Sequence, residues 1–205
     1  MSFITDEERS RIEAAIQDAE RRTSGELVTV IAEASDDYYY IPTLWAAILA
    51  LGVPIGLHLA AVIQGVDQLL IGQMGGFIVL GLIFRWPALK MRLVPKSVKR
   101  ERAAALAVGQ FVEQGLHRTE AGTGVLIFVS VAERHVEILA DHGINEKVPP
   151  DTWQVAVDKF TAEVRAGRVA NGFVQAIDDC GRVLAEHFPA GTENKNELPN
   201  RLIEI

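Results

Sequence analysis

The 205 residues are 49% hydrophobic with a mean hydropathy of +0.16, which excludes a disordered or collagen-like chain. A count of 20 basic against 27 acidic side chains leaves a net charge of −7 and a pI of 5.3, so no nucleic-acid partner is expected, because that role needs a basic face. The single cysteine, Cys180, cannot form an intramolecular disulfide, which argues against a disulfide-stapled exported domain.

The charge is unevenly spread: residues 1–40 carry −6, residues 41–84 only the −1 of Asp67, residues 85–102 carry +6, and residues 103–205 carry −6. The chain opens on Thr5 with Glu8 three residues later, a capping box that predicts a helix to about Arg22 with Ile12, Ala15, Ile16 and Ala19 on one face. Gly25 stops it. Leu27 to Ala32 is short, apolar and β-branched, and reads as a buried strand.

From Ile41 to Ile63 there are 23 residues without Asp, Glu, Lys or Arg, and Leu69 to Phe84 gives 16 more. At about 1.5 Å per residue the first run crosses a hydrocarbon core of roughly 30 Å, and the second nearly does so if Arg85 snorkels and Trp86 sits at the interface. Core helices of a soluble domain show a polar stripe, and neither run has one. Residues 41–86 are therefore expected to form a two-helix transmembrane hairpin with a loop at 64–68, followed by a basic juxtamembrane linker at 87–96. Gly52, Gly56, Gly72 and Gly76 space at intervals of four, with Gly56 and Gly76 at one depth, which predicts close backbone approach there. The loop has no Lys or Arg, whereas Arg85, Lys90, Arg92, Lys96, Lys99, Arg100 and Arg102 follow the second run. This asymmetry predicts an inner (plasma) membrane protein with both termini in the cytoplasm. The lipid bilayer is then one partner, and Lys90 to Arg102 attract anionic lipid headgroups. A first apolar run some forty residues in, behind an acidic helix, is not the layout of a cleaved signal peptide.

Beyond the hairpin, Ser97 is placed to cap a helix to about Gln114. Val125 to Val131 is the most strand-like run in the chain, and His135 to Ala140 follows after a short polar gap, which predicts a β-hairpin. Pro149-Pro150 introduces a helix over about Asp151 to Ala166, and a last helix covers Val169 to His187. Residues 190–205 lack periodicity and read as a tail. Residues 1–40 and 97–189 are expected to form one discontinuous α/β sandwich, a fold class that follows from strands separated by helices.

Several blocks carry a resemblance: Thr23-Ser-Gly-Glu26 before the first strand, Gly124 to Ser130 with Ala132-Glu-Arg134, Val136 to Asp141 with Gly143, and Gly167-Arg168 ahead of Gly172 and Ala176-Ile177. In these the chain resembles the TPM domain family, which includes thylakoid-lumen proteins of photosystem II repair and many bacterial membrane proteins. The resemblance implies a small α/β sandwich and one of three roles described for members: acid phosphatase, divalent-cation binder, or non-catalytic assembly factor. A hairpin inside the domain departs from the usual pattern.

The candidate site residues are few. Asp141, after a strand, either offers oxygen to a hard cation such as calcium, with Glu26, Asp178 or Asp179 as further ligands, or caps the turn of Asp141-His142-Gly143. Ser24-Gly25-Glu26 either presents an anion-binding turn or simply ends the first helix. Arg134 and His142 are further ligand-binding candidates, Arg134 being equally suited to a surface ion pair. The five His residues show no His-x-x-x-His spacing, no phosphate loop or Gly-x-Ser-x-Gly elbow occurs, and no cofactor beyond a possible calcium is expected. Two functions fit: a membrane-anchored, non-catalytic binding or assembly and maintenance module for other membrane proteins, or a metal-assisted phosphatase centred on Asp141.

Overall fold

The computed structural model describes residues 4–62, 65–149, 151–191 and 196–205. Ile63 and Gln64, at the junction of the predicted first span and loop, lie outside the described residues. So do Pro150 of the Pro-Pro pair and residues 192–195 of the predicted tail. The chain divides into two compact units, residues 1–35 with 100–205, and residues 36–99.

The first unit is a three-layer α/β sandwich. Its sheet holds β1 (Glu26–Ala32), β2 (Gly124–Ser130), β3 (His135–Ala140) and β4 (Leu202–Glu204) in the order β3-β2-β1-β4. β1 and β2 are parallel, from Glu26 opposite Gly124 to Ala32 opposite Ser130, and β2 and β3 form the predicted antiparallel hairpin. Every residue of β1 and β2 is buried, as expected of central strands covered on both faces. One face, through Leu27, Ile31, Val125, Ile127 and Val129, packs on α1 (Asp6–Glu20), α7 (Thr152–Arg165) and α8 (Val169–His187). The other, through Val28, Val30, Leu126 and Phe128, packs on Ala103 and Ala107 of α5 (Lys96–Glu113).

Local rules account for most of these elements. The Thr5–Glu8 capping box forms, and Ile12, Ile16 and Ala19 are buried as their spacing requires. Cys180 is a fully buried core residue on α8, and burial pushes its thiol pKa up. Phe160 and Phe173 meet edge to face at 4.8 Å where α7 crosses α8. The predicted tail behaves differently: Leu202–Glu204 pair in parallel with Thr29–Ile31 and complete the sheet. Arg9 of α1 donates to the Leu202 carbonyl at 3.0 Å and pairs with Glu204. Three residues are too few to carry a periodic signal, so only the long-range pairing reveals this strand.

The second unit holds α2 (Tyr40–Leu59), α3 (Val66–Phe84) and α4 (Pro87–Leu93), ending in the first residues of α5. α2 stops four residues short of the predicted span, in a turn where Ala61 has φ +58°. α3 starts earlier than predicted, because Val66, Asp67 and Gln68 join the helix instead of the loop, with Asp67 favourably placed in the first turn. The predicted linker is largely a short helix, opened by Pro87 at its first position. It brings Met91 to a small cluster of Tyr38, Ile41 and Val94. A Cβ on Gly76 would sit 3.0 Å from a Val53 methyl, whereas one on Gly52 or Gly56 would meet nothing within 4 Å. Gly76 therefore packs on Val53, and the expected Gly56–Gly76 contact is replaced by this one.

Candidate functional site

Asp141 occupies a capping position. Its Oδ1 accepts the His142 backbone N–H at 2.7 Å and faces the His142 Nδ1 at 3.0 Å, at the start of the single helical turn α6 (His142–Asn145). Its own N–H donates to the Gly124 carbonyl at 2.9 Å. Because β3 is antiparallel, this places Asp141 at the end of the sheet where β1 and β2 begin. Ligands of α/β sheets gather at the opposite end, outside the carboxyl ends of the parallel strands. The second oxygen, Oδ2, is buried without a hydrogen-bond partner.

The other nominated carboxylates do not join Asp141. Glu26, buried at the start of β1, accepts the backbone N–H groups of Glu197 and Leu198, each at 3.2 Å. Asp178 pairs with Arg22 and Arg182, and Asp179 with Lys159 and Arg182. Among the described residues no three His, Cys, Asp or Glu side chains converge on a point that a cation would occupy. Calcium takes 6–8 oxygens, so the donor set around Asp141 does not fit it.

The Ser24-Gly25 turn is likewise committed. The Ser24 N–H donates to the Phe188 carbonyl at 3.0 Å and the Gly25 N–H to the Thr23 hydroxyl at 3.0 Å. An anion-binding turn needs those amides free, so this turn instead ties the start of β1 to the end of α8. Arg134 sits in the β2–β3 turn with φ +52°. It lines an open groove with Arg100, Arg165, His135, Glu137 and Asp158, and in that groove His135 Nε2 lies 2.6 Å from Glu137. His142 is largely exposed, and its ring faces Asp141 and lies against Gly122.

The structure assembles one arrangement that spacing alone does not suggest. Glu20 ends α1 and Glu26 begins β1, and both are buried beside a polar cleft of about 520 Å³ lined also by Gln17, Arg21, Asn196 and Asn200. Glu20 accepts the Leu27 N–H at 3.0 Å and a hydrogen bond from the Asn200 side chain. Burial pushes the Glu20 carboxyl up to about 7, with the charge of Glu26 adding to the rise. Burial also raises Glu26, against the pull of its two amide donors. The pair anchors the segment leading to β4, Glu26 through the Glu197 and Leu198 amides and Glu20 through Asn200. The visible signal was two Glu six residues apart around a Gly turn. Their burial depends on Asn196 to Asn200, far along the chain, which is why the sequence conceals it.

No curated protein matches the chain. The solved structure of the BA42 protein from the psychrophilic bacterium Bizionia argentinensis, determined by NMR, is similar in fold: the TM-score is 0.64 over 100% of this chain and 97% of that one, at 22% identity. Residues 91–183, from within α4 through most of α8, match the TPM domain family, so this stretch of the chain is similar to a TPM domain.

Proposed function

We propose that this chain is an integral protein of the inner membrane whose α/β unit, on the cytoplasmic side, is a non-catalytic binding or assembly and maintenance module for other membrane proteins. The observation that carries the reading is the surface of α2 and α3. Their mean hydropathies are 1.7 and 1.6, yet only 28% of the apolar window of α2 and none of that of α3 is buried. A core helix of a soluble protein buries such a surface against protein. Leu44, Leu51, Ile55, Ile71, Met74 and Leu82 are instead exposed, as they would be toward lipid, which hides apolar side chains from water without a protein partner. A connection between the helices without Lys or Arg, against seven of them from Arg85 to Arg102, supports the cytoplasmic placement of the termini. That run adds about 1 kcal/mol of attraction to anionic headgroups per charge near the surface. A binding role is favoured because the carboxylates and turn amides of the α/β unit hold strands and segments together. The metal-assisted phosphatase lacks a donor set among the described residues.

The test is fractionation with reporters. The chain should resist carbonate extraction, a reporter at Gly65 should read as periplasmic, and reporters at both termini as cytoplasmic. Proteins recovered with it from solubilised membranes then name the partner. Release by carbonate, or a cytoplasmic signal at Gly65, would overturn the reading.

A further inference from the structure

A groove of about 350 Å³ opens between α2 and α3 at the end of the hairpin where the two helices meet α4. Its walls are apolar: Pro42 from α2, and Phe77, Ile78 and Leu82 from α3. Thr43, also in the wall, spends its hydroxyl on the Tyr39 carbonyl at 2.7 Å, so it presents no unmet polar group to the groove. Gly81 leaves the floor open, since a Cβ there would meet nothing within 4 Å.

The mouth has the opposite character. The Arg85 guanidinium lies 5.6 Å from the centre of the Tyr39 ring and the Lys90 ammonium 5.4 Å from it, so two cations flank one aromatic ring, and both line the groove. Lys90 is held there by donating to the Asp37 carbonyl at 3.0 Å. Among the described residues no carboxylate pairs with Arg85 or Lys90. Tyr39 precedes α2 and Arg85 follows α3, which puts the pair of charges at headgroup level in the membrane orientation proposed above. Phe77 is eight residues before Arg85 along α3, so the apolar wall runs about 12 Å toward the hydrocarbon.

We infer that this groove binds one phospholipid with an anionic headgroup, its phosphate on Arg85 and Lys90 and an acyl chain along Phe77, Ile78 and Gly81. The inference rests on the membrane reading and adds to it a defined site, distinct from the diffuse attraction of the basic run. Two positive charges and an apolar slot are complementary to such a lipid at both ends, whereas a zwitterionic lipid brings the same phosphate together with a cationic choline that offsets its attraction to Arg85 and Lys90.

The experiment titrates the full-length chain, purified in detergent, with phosphatidylglycerol or with phosphatidylcholine of the same acyl chains, and counts bound lipid by native mass spectrometry. One phosphatidylglycerol should be retained at about tenfold lower concentration than phosphatidylcholine, a difference of roughly 1.4 kcal/mol. R85Q/K90Q should bring the two lipids to parity, while R92Q/K96Q, which removes equal charge outside the groove, should keep the preference. Gly81→Leu should weaken both lipids alike. Equal binding of the two lipids by the unmodified chain, a preference that survives R85Q/K90Q, or one lost equally in R92Q/K96Q would overturn the inference. So would a lipid-free dimer that Gly81→Leu splits, since a second copy would then occupy the groove. A chain that purifies without detergent and leaves membranes in carbonate fails the membrane reading itself, an outcome separable from a detergent-dependent chain that shows no lipid preference.

Discussion

α8 and α3 are both 19 residues long, and they use their apolar side chains in opposite ways. α8 concentrates them on one face, where Ala170, Phe173, Ala176, Ile177, Cys180 and Leu184 are buried against the sheet and α7, and it turns Asp178, Asp179 and Arg182 outward into ion pairs. α3 has apolar residues all round and buries only Phe84. Glycine follows the same division. In α8 a Cβ on Gly172 would fall 2.1 Å from the Phe160 ring, while in the hairpin Gly52, Gly56, Gly75 and Gly81 would meet nothing. An apolar helix reports what surrounds it through the pattern of its burial, and its composition alone does not.

The largest test of this contrast is Gly172→Ala. Phe160 is fully buried and cannot move aside, so the variant should lose about 2–3 kcal/mol in denaturant unfolding of the α/β unit. Gly52→Ala should change stability by less than about 0.5 kcal/mol. Equal effects at the two sites would remove the distinction between a packed and an unpacked helix.

The next effect belongs to the α/β unit alone. Glu20 has a folded-state pKa raised to about 7, so the folded state holds a proton that the unfolded state has released above the ordinary carboxylate range. The contribution of Glu20 to stability is therefore fully present in acid and is lost as pH rises from about 4.5 to about 7, by up to about 3 kcal/mol. Burial shifts Glu26 in the same direction. Glu20→Gln should flatten this slope, read as hydrogen-exchange protection of β1 and β4 between pH 5 and 8. A slope unchanged by the variant would show that the carboxyl is not the titrating group.

Within the hairpin the contrast becomes finer. Gly76→Leu must displace Val53 and should lower the melting temperature in detergent, at a cost of about 1–2 kcal/mol. Gly56→Leu should leave it unchanged. The reverse order would place the helix contact on Gly56 instead.

The smallest expected effect concerns Asp141. Asp141→Ala should cost about 1 kcal/mol through loss of its cap, and millimolar calcium should leave the melting temperature of the unmodified chain where it is. A calcium-dependent rise of several degrees, absent in Asp141→Asn, would restore the metal reading.

What could be read from the sequence was what local chemistry decides. The Thr5–Glu8 box, the buried runs of β1 and β2, the β2–β3 hairpin and the two apolar helices all have their signal within a few residues. β4 and the Glu20–Glu26 cleft do not, because each exists only when residues near 200 return to residues near 26. The position of Asp141 was legible as a strand end. Which end of the sheet that strand reaches follows from the same hairpin, since β3 runs antiparallel to β2. α4 was masked by its charge, since Lys90 and Arg92 read as a solvated linker until Pro87 and the fold-back onto Tyr38 are seen.

The sandwich is completed by segments on both sides of the hairpin, and this fixes an order of events during synthesis. β1 ends at Ala32 and its neighbour β2 begins at Gly124, so some ninety residues, including both apolar helices, must leave the ribosome before the central strand pair can close. At about 5–20 residues per second that is a wait of roughly 5–20 s, far longer than a helix needs to form. Under the proposed insertion, α2 and α3 meet the bilayer while β1 still has two open edges. Six net negative charges lie before residue 41, and the sheet is complete only when β4 pairs with β1.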